Sequence, residues 1–319
     1  MTSMDDPLWP RASAWLAGEL GPPPGGAPLL AVLGAPLSQA SISPSQAHRT
    51  PAAVRAALHR YSILAALPSD TVDLRAVEVA DLGDLDLAEL ANDDAQLLVE
   101  AAVAELEDAP ALRRPADLLV LLGGDNAITR PAMRAAMPLT SAGLLTLDAH
   151  HDVRDFHAGR SNGTPVRGLI DDGLPGGNVV QVGIGMFTNA PDYRRYCDEQ
   201  GVTVVTAAQA RRAEVGATVQ EHLGLLGRRC AEIYVDLDVD VVDAAFVPGC
   251  PGARPGGIAP YELVEAAFAA GAHPGVTVID LVEVDAAADP DGITVDLTAQ
   301  CLLAAAAGLA LRGNAVNTE

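Results

Sequence analysis

The chain has 319 residues, 49% of them hydrophobic, so it can bury a large core, and its formal net charge of −22 argues against a nucleic-acid or anionic-membrane partner. All 20 basic residues are arginine, which excludes Schiff-base chemistry and the phosphate-binding lysine of a P-loop. Coding bias, which also enriches alanine, explains the missing lysine.

The first six residues are acidic and carry no signal-peptide pattern. A Gly/Pro-rich run at 21–27 closes a lead-in over 1–27 that is expected to be flexible. From Pro28 onward apolar runs alternate with alanine-rich helical stretches. Strands are predicted at 29–33, 77–80, 118–122, 143–147, 179–184, 203–205, 233–236 and 276–281. Helices are predicted at 52–59, 87–106, 130–136, 191–200, 217–229, 260–270 and 297–311. This alternation predicts an α/β fold of three layers, with a mostly parallel central sheet and helices on both faces. Loops at 39–48, 154–167 and 246–257 follow strands and are expected to rim the site. The longest apolar stretch, 301–311, falls short of the ~18 residues of a membrane span, and a cytoplasmic protein is expected. Cys197, Cys230, Cys250 and Cys301 show neither disulfide-framework density nor metal-ligand spacing.

Three acidic clusters end apolar runs: Gly-Gly-Asp-Asn at 123–126, Asp-Ala-His-His-Asp at 148–152 and Asp-Leu-Asp-Val-Asp at 236–240. Parallel strands deliver their C-terminal residues to one crevice, where so many carboxylates would repel one another without a cation. The clusters are widely separated in sequence, so residues 28–319 are expected to form one domain although ~150 residues per domain would suggest two. Asp148, His150 and Asp152 alternate, as do Asp236, Asp238 and Asp240, so each set shares one face if its strand continues that far. Oxygen ligands with one imidazole suit Mn²⁺, and two such strand ends can bridge a pair of ions ~3.5–4 Å apart.

These motifs, with Glu283-Val-Asp285 after a late strand, resemble those of the arginase/agmatinase superfamily (ureohydrolases), from about Leu30 onward. The resemblance implies a binuclear manganese site that adds hydroxide to a guanidinium or amidine carbon, in chains that are often homo-oligomeric. It implies that Asp148 and Asp236 bridge both ions. His150 and Asp238 would complete one, and Asp152 with Asn126 the other. Asp152 would also hydrogen-bond the hydroxide, and Glu283 would pair with the cationic end of the substrate. Two positions depart from the common pattern: Asn126 and Asn162 stand where histidine is usual. An amide oxygen is a poorer metal donor than imidazole, and asparagine cannot shuttle protons.

Asp-Ala-His-His-Asp-Val-Arg at 148–154, Asn-Gly-Thr-Pro-Val-Arg at 162–167 and Pro-Gly-Cys-Pro at 248–251 resemble the formimidoylglutamase branch. That branch hydrolyses N-formimidoyl-L-glutamate, a small amidine, to L-glutamate and formamide in histidine degradation. Its two substrate carboxylates call for arginine partners, and Arg154 and Arg167 are the candidates, beside Asn162 and Glu283. Other readings stand beside these. Asn126 could cap a helix starting near Ala127, Asp240 could anchor a turn, and both arginines could be structural ion-pair partners. His151 is expected to pack behind the ligands, with His157 in the lining loop a possible proton shuttle. Hydrolysis of agmatine or a guanidino acid, and a metal-poor non-catalytic homologue, are the competing functions.

Overall fold

The apolar runs become the strands of one parallel sheet. The computed structural model describes residues 6, 8–68, 70–106 and 112–312. The remainder of the expected lead-in and domain, including 1–5 and 313–319, lies outside the described residues. In chain order, α1 (Ala12–Leu16) precedes β1 (Leu29–Ala35), α2 (Thr50–Ala57), an antiparallel pair β2 (Leu64–Ala66) and β3 (Thr71–Asp73), and β4 (Glu78–Asp84). Next come α3 (Asn92–Ala104), β5 (Leu118–Gly123), α4 (Thr129–Ala136), β6 (Ala142–Leu147), α5 (Pro165–Asp171) and β7 (Val179–Ile184). Then follow α6 (Pro191–Gln200), β8 (Thr203–Thr206), α7 (Ala207–Ala213), α8 (Val215–Gly227) and β9 (Glu232–Asp238). The last three elements are α9 (Pro260–Ala272), β10 (Val276–Val282) and α10 (Ile293–Ala310).

The sheet has eight strands in the order β4-β1-β5-β10-β9-β6-β7-β8, all parallel. Strands β5, β6 and β7 are buried along their whole length, as a strand covered on both faces must be. Their alternate residues feed two separate cores. Leu118, Val120 and Leu122 pack with residues of α2, α8, α9 and α10, while Leu119 and Leu121 pack with residues of α3 and α4. That is the expected three-layer arrangement. Helix α10 is long and apolar enough to cross a membrane, but 67% of it is buried inside the fold, chiefly against α9.

The flexible lead-in does not hold for residues 12–16. Here α1 docks with Trp15 only 3% exposed and its Nε1 donating to Val77 O at 3.3 Å. Five residues are too few to show helical periodicity in sequence. Helix α5 begins inside the expected rim loop, where Pro165 in its first turn sets the entry. Helix α7 was also absent from the sequence pattern; Thr206 and Gln209 close a capping box at its start.

Candidate metal centre

Four neighbouring strands, β5, β10, β9 and β6, end at one crevice. Gly124 lets the end of β5 pass against the first loop, since a Cβ there would lie 1.7 Å from Leu37 O. The crevice holds a cavity of about 160 Å³. Its floor is formed by His150, Asp152, Asp238, Asp240 and Glu283, with Asn162 beside them. Asp152 and Glu283 take left-handed backbone conformations (φ 51° and 65°), each a strain of about 1–3 kcal/mol that the surrounding fold sustains.

Strand register corrects the third motif. Leu147 of β6 pairs with Leu237 of β9, so Asp148 stands level with Asp238. Asp236 pairs instead with Thr146 and, on the other side, with Asp280, one pleat further from the crevice. Asp236 is fully buried off the cavity wall, and neither of its carboxylate oxygens has a hydrogen-bond partner among the described residues. The expected positions are therefore shifted by two: Asp238 and Asp240 stand where Asp236 and Asp238 were expected. In an isolated strand all three share a face, and only the neighbouring strand tells them apart.

Asp240, expected as a turn anchor, belongs to the cavity. Its Oδ1 accepts from Ala149 N at 3.0 Å, and its Oδ2 lies 2.6 Å from His150 Nδ1. Asp148, His150 and Asp240 offer donor atoms that all lie within 4.8 Å of one another, a group that could hold a metal ion. Burial, then the charge of Asp240, pushes the Asp148 carboxyl up to about 7. Burial and neighbouring carboxylates hold Asp152 and Asp238 well above the usual range. At His150 burial opposes the charge, but bonds to Asp148 and Asp240 outweigh it and carry the imidazole up to about 12. Asp240 is the exception among the acids: the His150 bond overcomes its burial and lowers it. The cluster thus demands positive charge, and its oxygen donors with one imidazole nitrogen fit a divalent cation such as Mn²⁺.

Asn126 is buried at the end of β5, with Nδ2 donating to Asp152 Oδ2 at 2.7 Å. The capping role falls to Asp125, whose side chain accepts from Ala127 N. Burial, then Glu283, raises Asp125 to about 8, and it also anchors the first loop by accepting from Ala40 N and Ser41 Oγ at 3.1 Å each. Asn126 N and Asn162 Nδ2 both donate to Glu283 Oε1, at 2.8 and 2.9 Å. These bonds oppose the burial that raises Glu283 and fix its orientation.

The arginines are arranged differently from expectation. Arg154 lines the cavity mouth. Arg167 does not line it: its guanidinium carbon sits 4.7 Å from the Tyr196 ring centroid and its Nε is 3.9 Å from Asp171. Helix α5 carries that side chain away, while Arg167 N still donates to Asp152 O at 3.2 Å. Arg254, which sequence reasoning missed, lines the mouth instead, with Nη1 held by the carbonyls of Pro251, Gly252 and Ala253 at 3.1, 3.1 and 2.8 Å. It is the one arginine in the 246–257 rim loop, which was the available signal. His151 packs behind the floor with Nδ1 2.6 Å from Gln181 Oε1, and His157 is exposed away from the cavity lining.

A parallel sheet whose crevice gathers carboxylates and an imidazole in this way has the make-up of a metal-centred α/β enzyme. The chain belongs to the Arginase family, whose model matches residues 29–308. It is 34% identical to a formimidoylglutamase of Halalkalibacterium halodurans over 275 residues, covering 85% of this chain and 84% of that one. It is 33% identical over 231 residues to a proclavaminate amidinohydrolase of Streptomyces clavuligerus, covering 70% and 69%. The crystal structure of a Bacillus subtilis formimidoylglutamase superposes with a TM-score of 0.85 at 30% identity, covering 97% and 95% of the two chains.

Proposed function

We propose that the chain hydrolyses the amidine C–N bond of N-formimidoyl-L-glutamate, giving formamide and L-glutamate. The observation that carries this reading is the polarity of one cavity: an acidic floor suited to a cation and an amidine, beneath a mouth bearing Arg154 and Arg254. A substrate with a cationic head and two carboxylates matches both ends. Agmatine, with no carboxylate, would forgo the charge-assisted bonds that Arg154 and Arg254 offer.

In this reading Asp148, His150, Asp152, Asp238, Asp240 and the Asn126 amide hold two Mn²⁺ ions. The metal when bound would supply Lewis acidity and a nucleophile derived from water at neutral pH. Glu283, with Oε1 already taken by Asn126 N and Asn162 Nδ2, offers Oε2 to the amidinium N–H. That pairing holds the planar formimidoyl carbon over the floor. Asp152 takes the proton of the attacking water and returns one to the departing glutamate amine, so that water is consumed and one C–N bond is broken. Arg154 and Arg254 hold the glutamate carboxylates through charge-assisted bonds.

The test is product analysis after Mn²⁺ loading, with formimidoylglutamate, arginine, agmatine and guanidinobutyrate offered in parallel. Formamide and glutamate from the first alone are expected. Urea from a guanidino substrate, with none of these products, would overturn the substrate assignment.

A further inference from the structure

The hydroxyl of Thr129 has two claims on its single proton. Its Oγ1 lies 2.6 Å from Asn126 Oδ1 and 2.8 Å from Asp280 Oδ2, and both are acceptors. One hydroxyl cannot donate to both. Asp280 is fully buried and also receives Tyr234 OH on the same oxygen at 2.7 Å. Its carboxyl, raised by burial to about 6, is held down by those two donors. A buried carboxylate is the stronger acceptor, so the Thr129 proton goes to Asp280.

Thr129 Oγ1 is then left with lone pairs facing Asn126. Rotating the amide half a turn satisfies them: Nδ2 donates to Thr129, and Oδ1 moves to the place beside Asp152 Oδ2. Two oxygens 2.7 Å apart repel unless a cation lies against them, so this orientation belongs to the metal-loaded protein.

We propose that Thr129, braced by Asp280 and Tyr234, is a positioning residue that turns the Asn126 amide oxygen toward the metal. The proposal rests on the reading above in which Asn126 is a metal donor. An amide presents an acceptor oxygen on one side and a donor nitrogen on the other, and the hydroxyl behind it selects the face. In sequence Thr129 is only a residue at the start of α4; the fold places Asp280, 151 residues away, against it.

The test is Mn²⁺ titration of the metal-stripped full chain, without substrate, for wild type, Thr129→Val, Thr129→Ser and Asn126→Ala. Thr129→Val keeps the branched shape and removes the hydroxyl. It is expected to weaken one of the two binding steps by about tenfold or more and leave the other within about twofold. Asn126→Ala should weaken the same step, and Thr129→Ser should restore it to within about threefold. If Asn126→Ala weakens that step and Thr129→Val does not, Asn126 remains a donor and the positioning role is refuted. If Asn126→Ala changes neither step, the donor reading fails and takes this inference with it. A second measurement needs no variant. With diamagnetic Zn²⁺ as the probe, NMR of the wild-type chain should give a nuclear Overhauser contact from the Asn126 amide protons to the Thr129 side chain. A contact to Asp152 in its place would overturn the proposal.

Discussion

The two-residue shift in the third motif has a direct consequence for metal affinity. The His150 imidazole rises from 6.5 to about 12, worth roughly 7 kcal/mol in favour of positive charge at ~1.4 kcal/mol for each pH unit. That preference comes from Asp148 and Asp240, at 3.5 and 2.6 Å from Nδ1, working against burial. Asp240→Asn removes one of the three donors that could hold the ion together, and should weaken Mn²⁺ binding by about tenfold to a hundredfold. Asp236→Asn should change it by less than about threefold, and it removes a buried carboxylate that has no hydrogen-bond partner among the described residues, so the melting temperature should hold or rise. Calorimetric titration of both metal-stripped variants, with thermal melts alongside, measures each quantity. Loss of binding in Asp236→Asn with retention in Asp240→Asn would refute the register argument.

Three further outcomes follow from the same geometry. Arg154→Gln and Arg254→Gln should each raise KM for formimidoylglutamate by about tenfold with kcat little changed, whereas Arg167→Gln should stay within about threefold; steady-state kinetics distinguishes them. In the metal-stripped protein Asp148 and Asp125 titrate near 7 and 8, above the unfolded carboxylate range, so their contribution is present at acid pH and lost as pH rises through those values. Its melting temperature should fall from about pH 4 to 8, less steeply with saturating Mn²⁺, and a melting temperature that climbs over that range without metal would count against the assignment. Trp15→Ala should destabilise the fold by about 3 kcal/mol, seen as a melting temperature lower by roughly 4–5 °C; no change would mean that α1 does not contribute to the core.

Strand β5 was legible because five consecutive large apolar residues, 118–122, have few alternatives to a doubly covered strand. Helix α5 was not, because its Gly-Thr-Pro entry reads as loop until the chain beyond it is seen to be helical. At the site, Asp148, His150 and Asp152 could be placed from cluster order alone, because β6 stops at Leu147 and strand alternation does not extend through them. The choice among Asp236, Asp238 and Asp240 could not, since it depends on pairing with a strand 90 residues away in sequence. Arg254 escaped for a related reason: its loop could be recognised as rim, but nothing local says which way a guanidinium points.

The position of β10 bears on how the protein is made. Among the described residues it is synthesised after every other strand of the sheet, yet it lies between β5 and β9. Until it emerges from the ribosome, the nascent sheet can exist only as two separate halves, β4-β1-β5 and β9-β6-β7-β8. Asn126 and Glu283 stay apart for the same interval, on opposite sides of that closure. A growing chain can therefore expose two sets of half-finished strand edges but no finished crevice, and the candidate centre can be completed only once β10 closes the sheet.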